Sequence, residues 1–262
     1  MRHQQISAST GSLTLRQGHS RNRLREVLIG LVAAVFVVGV LGTSARAAEP
    51  AKVFVVNGLP GKKLDFCDGS KEIASWVKYG QVKLIHVGPG ATKIKVREAR
   101  KGTCNGRWLA ARDIKFQDGG NDTLVAWRPF KKIAIKRTVN DITLPGPETS
   151  TINMTHTAKM GLVDGYIWQM LRTDDQQLRT SDDHFWEATW EELRKGERGQ
   201  SVRMKAEQTL IEAYPARKTS RWSYEGRWFF LNAGYAFQTF IVGTKRENYY
   251  IVVIGQPGIL AP

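Results

Sequence analysis

Cysteine is nearly absent from this chain: Cys67 and Cys104 are the two in 262 residues. One pair is too few for a structural zinc site, which takes four ligands, and too few for a disulfide-dense scaffold. Histidine is scarce as well, five in all. Beyond residue 47 the histidines are His86, His156 and His184, and none has the H-x-x-x-H or H-x-x-E-H spacing of zinc hydrolases. No serine sits in a G-x-S-x-G elbow. The glycines punctuate turns, without the strand-to-helix setting of a phosphate loop. Asp182-Asp183-His184 carries capable groups but has no nucleophile beside it. These absences assign no catalytic residue, no metal ligand and no cofactor, and the expectation is a chain that is not an enzyme. The alternative is an uncharacterised extracytoplasmic hydrolase or carbohydrate-active protein that uses the charged, aromatic stretch between Thr173 and Gly199, with His184, Trp186 and Trp190 as its candidate site.

Long hydrophobic runs are also missing, with one exception. Val27 to Leu41 is apolar for 15 residues, preceded by Arg21, Arg23 and Arg25 and followed by Ala45-Arg46-Ala47. A basic region, an apolar stretch and an A-x-A site make a secretory signal, with cleavage after Ala47 or Ala48. The run is shorter than the roughly 20 residues of a membrane span; an uncleaved anchor is the alternative. The expected location is secreted or cell envelope. In that compartment Cys67 and Cys104 are expected to pair, against the alternative of two buried free thiols.

Acidic residues are few relative to basic ones, 24 against 39, for a net charge of +15. The deficit is local. Residues 48–145 hold 19 Lys and Arg against 9 Asp and Glu, whereas residues 146–262 hold 14 of each. A basic half on an exported chain points to an anionic envelope polymer, or another surface protein, as partner. No nucleic acid is expected, and the membrane is met only through the signal segment if it stays uncleaved. Lys93, Lys95 and Arg97 alternate with apolar residues and form the candidate binding face. The alternative reading of that alternation is the solvated face of a half-buried strand that discourages edge pairing.

What the chain does have is short apolar runs at turn spacing, with little sign of a helical period. Val53–Val56, Leu64–Cys67, Ile73–Trp76, Val82–Val87 and Thr92–Arg97 read as strands, closed by Asp68-Gly69, Tyr79-Gly80 and Gly88-Pro89-Gly90. The stretch from Trp108 to Ile135 recurs as Trp222 to Ile254, matching Phe116 to Phe230 and Gly120 to Gly234 at an offset of 114. At the front of each unit the offset is 99, so that Asn57 matches His156 and Asp65 matches Asp164. About 15 extra residues are therefore expected in the middle of the second copy, and a short helix capped by Ser181 is expected through Trp186–Leu193. Asp65 and Asp164, flanked by apolar residues, read as acceptors for turn N–H groups.

The chain is predicted to be all-β, with two Ig-like antiparallel β-sandwich domains in tandem behind an N-terminal signal helix. The expected segments are 1–47 (signal), 48–143 (basic sandwich), 144–150 (a Pro/Gly linker) and 151–262 (second sandwich with an insert at 173–199).

The turns themselves carry a likeness. Asn57-Gly58-Leu59-Pro60-Gly61, Asp65, Asp68-Gly69, Tyr79-Gly80 and Gly88-Pro89-Gly90, with His156-Thr157-Ala158 and Val163-Asp164 in the second copy, resemble the secreted bacterial domain-of-unknown-function family 4397. The resemblance implies an Ig-like sandwich outside the cytoplasm and no established catalytic residues.

Overall fold

The computed structural model describes residues 47–100, 104–170, 184–216, 225–243 and 249–258. The apolar run and its basic flank lie outside the described residues; Ala47 and Ala48 are exposed. Sixteen strands and no helix are found among the described residues. The first eight are β1 (Ala51–Asn57), β2 (Leu64–Asp68), β3 (Lys71–Val77), β4 (Val82–Val87), β5 (Gly90–Glu98), β6 (Ala110–Phe116), β7 (Asn121–Trp127) and β8 (Ala134–Val139). The second eight are β9 (Thr149–His156), β10 (Val163–Met170), β11 (His184–Leu193), β12 (Val202–Lys205), β13 (Gln208–Pro215), β14 (Glu225–Phe230), β15 (Tyr235–Val242) and β16 (Tyr250–Pro257). The Pro/Gly linker is thus shorter than its sequence suggests, because Thr149 and Ser150 already belong to β9.

The strands form four four-stranded sheets: β4-β1-β7-β8 faces β3-β2-β5-β6, and β12-β9-β15-β16 faces β11-β10-β13-β14. Each strand of the second set takes the place of the strand eight earlier in the first. The prediction of antiparallel sheets needs one amendment. β1 runs parallel to β7, and β9 parallel to β15. Both pairs sit at the centre of their sheets, which are covered on both faces, as parallel strands require.

That covering produces three apolar layers. Leu64, Phe66, Ile94, Phe116 and Leu124 lie in the core of the first sandwich. Ile152, Met154, Ile167, Ile211 and Leu231 lie in the core of the second. Between the two sandwiches, Val56, Val125 and Trp127 meet Phe240, Val242, Val252 and Ile254. Alternate residues of β7 point into different layers: Leu124 and Ala126 into the first core, Val125 and Trp127 into the seam. This is why β7 is buried along its whole length. Polar contacts frame the seam: Asn121 Nδ2 donates to Gln256 Oε1 at 2.5 Å, Gln238 Nε2 to the Asp141 carbonyl at 3.0 Å, and Arg198 to the Val139 carbonyl at 2.9 Å.

Candidate functional site: two equivalent sheet faces

The ladders define which residues are equivalent. Asp65 pairs with Arg97 as Asp164 pairs with Tyr214. Val96 pairs with Ala110 as Ala213 pairs with Glu225. Carried along β6 and β14, this register sets Phe116 opposite Leu231 in the repeat, not Phe230. Phe116 and Leu231 are both buried, whereas Phe230 is 60% exposed. The match of Gly120 to Gly234 shifts in the same way: Gly119 and Gly234 are the residues with φ near 59° and 75°. The offset is one residue larger than the sequence match gives, and one residue exchanges the two faces of a strand.

At the front of each copy the offset of 99 holds down to single hydrogen bonds. Asn57 Nδ2 donates to the Lys62 carbonyl at 2.7 Å, and His156 Nε2 lies 2.8 Å from the Gly161 carbonyl. Asp65 Oδ1 accepts the backbone N–H of Trp76 at 3.0 Å, and Asp164 Oδ1 that of Glu192 at 2.7 Å. Trp76 and Glu192 are the two non-glycine residues with positive φ among the described residues, and each lies opposite a register shift of its ladder. The carboxylate holds the bulge by satisfying an N–H that the ladder leaves unpaired.

Most of the extra length of the second copy is in one place. Asp65 and Trp76 are 11 residues apart, whereas Asp164 and Glu192 are 28 apart, so the β10–β11 hairpin contains 17 more. Residues beyond Glu192 have counterparts in the first copy: Lys78 and Arg194 donate their N–H to Gln81 Oε1 and Glu197 Oε2 in turns closed by Gly80 and Gly196. The insert therefore ends before Gly199. The helix expected through Trp186–Leu193 is instead strand β11, paired with β10 along its length. Ser181, Asp182 and Asp183 lie outside the described residues. His184 and Trp186 pair in the ladder with Met170 and Trp168. Trp190 is 5% exposed, donates Nε1–H to the Gln200 carbonyl, and belongs to the core. It is a packing residue.

The outer face of the first distal sheet is basic but partly covered. Lys93 is exposed, and Lys95 lies over the Trp108 ring at 4.5 Å. Arg97 does not share that exposure. It is 3% exposed and bonds through Nε and Nη2 to Asp65 Oδ2, and through Nη1 to the Asn105 carbonyl. The expected face of Lys93, Lys95 and Arg97 thus loses its third member, because a buried carboxylate needs a partner more than the surface needs a charge. The Cys67–Cys104 disulfide, S–S 1.95 Å, ties the same loop down over the sheet.

The equivalent face of the second copy has different chemistry. Lys93 and Lys95 give way to Leu210 and Glu212, Arg97 to Tyr214, Asp113 to Trp228 and Lys115 to Phe230. Trp228 is 45% exposed. Glu212 accepts from Trp168 Nε1 at 2.6 Å and from the Tyr214 hydroxyl at 2.7 Å. Tyr166 and Tyr214 pack edge to face at 5.3 Å. Burial raises the Tyr166 hydroxyl pKa, and the charges of Asp164 and Glu191 add to it. No signal short of the ladder register would have located this face. In sequence, Trp228-Phe229-Phe230-Leu231 is a continuous apolar run that does not say which side it shows.

No cluster of three or more His, Cys, Asp or Glu residues able to hold a metal ion occurs among the described residues. What fold and faces define together is a protein of two tandem β-sandwiches whose two outer sheets carry different side-chain chemistry. No protein-family model matches the sequence, and no curated protein matches it. Among solved structures, the "putative cell adhesion protein" of Bacteroides ovatus is similar over 83% of this chain and 100% of its own, at 8% identity and a TM-score of 0.25. The Bacillus anthracis TIE protein is similar over 75% of this chain and 34% of its own, at 9% identity and a TM-score of 0.24. A second "putative cell adhesion protein", from Bacteroides uniformis, covers 79% of this chain and 98% of its own, at 8% identity and a TM-score of 0.22. At this level of identity and overlap none of the three assigns the chain to a family or gives it a function.

Proposed function

We propose that this chain is an exported, non-enzymatic interaction module of the cell surface or envelope. The observation that carries the reading is how its ionisable groups are used. Asp65 and Arg97 form a buried pair inside a sheet, and buried Asp122 is paired with the partly exposed Arg137. Asp164 holds a bulge, and His156 braces a loop. The chemistry that a hydrolase would place in a cleft serves the scaffold here, and the side chains open to partners are on sheet faces. The Cys67–Cys104 bond supports an oxidising compartment, and the signal-like N-terminus agrees with it. The likeness to family 4397 belongs to the same reading.

In this reading the first sandwich contacts an anionic envelope polymer through Lys93 and Lys115, which are exposed, and Lys95, which is half-buried beside Trp108 on the same face of β5 and β6. The exported protein is expected to co-sediment with a purified polyanionic wall polymer at low salt and to lose most of that binding between about 50 and 500 mM salt, where screening shortens from above 10 Å to a few Å. Lys93→Glu with Lys95→Glu should abolish it. Binding that is indifferent to both salt and these substitutions would refute the assignment of the face.

A further inference from the structure

The second sandwich carries aromatic side chains at positions where its own duplicate carries charges. The first copy shows that the fold is satisfied with Asp113 and Lys115 at the outward positions of β6. Their equivalents on β14 are Trp228 and Phe230, exposed by 45% and 60%. Large apolar side chains on an outer strand are an aggregation hazard that sheets ordinarily remove with charge. Nothing in the packing of the second core calls for them, because the inward residues Phe229 and Leu231 fill it.

The face has a defined layout. Trp168, Leu210 and Trp228 are ladder partners across three strands, so the two indoles stand on strands about 10 Å apart. Phe230 follows Trp228 by two residues, about 7 Å along the same strand. Glu212, 6% exposed, lies in the next row opposite Gly226, which has no side chain. A Cβ added at Gly226 would come within 3.5 Å of Glu212 Oε1. Trp168 Nε1 and the Tyr214 hydroxyl both bond the other oxygen, Oε2, and fix the carboxylate in place.

Charge narrows the occupant. The described residues of this face include Asp164 and Glu212 and no lysine or arginine. Phosphate-rich polymers and anionic lipid headgroups would be repelled. A purely apolar partner would offer no donor to Glu212 Oε1, since Trp168 and Tyr214 both bond Oε2. A pyranose chain meets every requirement: C–H faces to stack on flat rings, and hydroxyls to donate to a fixed carboxylate. We propose that this face binds an uncharged glycan chain, stacked on Trp228 and Phe230, with a sugar hydroxyl donating to Glu212. The proposal rests on the reading of the chain as an interaction module and adds a second, chemically distinct contact surface to it.

The test is affinity electrophoresis of the exported full chain through gels holding one of four soluble neutral polysaccharides: an α-glucan, a β-glucan, a xylan or a galactomannan. Retardation by at least one is expected, unchanged between about 50 and 500 mM salt because no ion pair is involved. Trp228→Ala and Phe230→Ala should each weaken it tenfold or more, and Glu212→Gln should weaken it while thermal melting shows the variant folded. No retardation by any of the four overturns the proposal, as does retardation that Trp228→Ala leaves intact. Sedimentation velocity supplies the competing outcome: a dimer that Trp228→Ala converts to monomer makes a second copy the occupant and overturns the glycan. Salt-sensitive polymer binding without retardation by any of the four neutral polysaccharides overturns the glycan face but keeps the module reading. Absence of both kinds of binding removes the two together.

Discussion

His156 stands where the first sandwich has Asn57, and the pair shows how one structural task accepts two chemistries. Each bridges the end of its strand to a carbonyl five residues on. Asn57 also accepts the Leu59 N–H and donates to the Val77 carbonyl. Burial is the main cause that holds the His156 pKa below the ordinary imidazole value; the positive charge of Lys195 adds to it, and the bond to Gly161 opposes it only in part. The unfolded chain therefore takes up a proton before the folded one does. Stability should be full above about pH 6.5 and fall as the pH drops toward the lower folded value. His156→Asn installs the duplicate's own solution. Denaturant unfolding between pH 7 and 5 should show the decline in the wild type and a flatter profile in His156→Asn. Equal slopes in both would show that another group carries the dependence.

The Asp65–Arg97 pair is a second residue-scale device. Both side chains are buried, and the carboxylate also accepts the backbone N–H groups of Trp76 and Arg100. Arg97→Ala removes one partner and strands the other charge, a loss of about 3–5 kcal/mol. The alternation of Lys93, Lys95 and Arg97 could not announce this. It gives the face of a strand but not whether a later loop folds across that face.

At the scale of elements, the duplication was legible and its register was not. Turn residues betray strands because turns restrict φ, so Asp68-Gly69 and Tyr79-Gly80 mark β2, β3 and β4 correctly. The turn at Lys195-Gly196 has the same geometry with different letters and escapes a comparison by identity. Trp186–Leu193 alone looks helical in sequence because a strand with many charged and aromatic residues lacks clean alternation, and β11 also carries a bulge. The one-residue slip on β14 has a measurable consequence. Leu231→Ala should cost about 2–5 kcal/mol as a core truncation, and Phe230→Ala less than about 0.5 kcal/mol as a surface change. Urea denaturation of the two variants separates the registers, and the opposite ranking would restore the offset read from sequence. The disulfide acts on the same scale. It closes a separation of 37 residues, and its removal by Cys67→Ser with Cys104→Ser should cost about 3–4 kcal/mol by the chain-entropy estimate. Faster amide exchange at Arg100, whose N–H bonds Asp65, should accompany it.

At the scale of the molecule, the two sandwiches on either side of the Pro/Gly stretch pack their central sheets against each other through a third apolar layer. Period-two patterning fails to show this, because β7 and β15 are buried on both sides and have no polar alternation to mark one face as solvated. Burial alone would raise the Asp141 carboxyl at the rim of that seam. Hydrogen bonds from Thr143 and Ser201, with Arg198 nearby, outweigh it and hold the carboxyl below the ordinary carboxylate range. The two sandwiches should therefore behave as one cooperative unit. Val125, fully buried, faces the seam and not the first core. Val125→Asp buries an unpaired charge there and should destabilise by more than about 3 kcal/mol. Calorimetry on the full chain should give one transition in the wild type, shifted down in Val125→Asp. Hydrogen exchange should loosen on both sides of the seam, in β15 as well as β7, since Val125 and Phe240 share one layer. Independent sandwiches would instead give two transitions and leave β15 untouched. Residues 48–145 expressed alone would expose Val56, Val125 and Trp127 to water, and their expected behaviour is self-association with a lowered melting temperature.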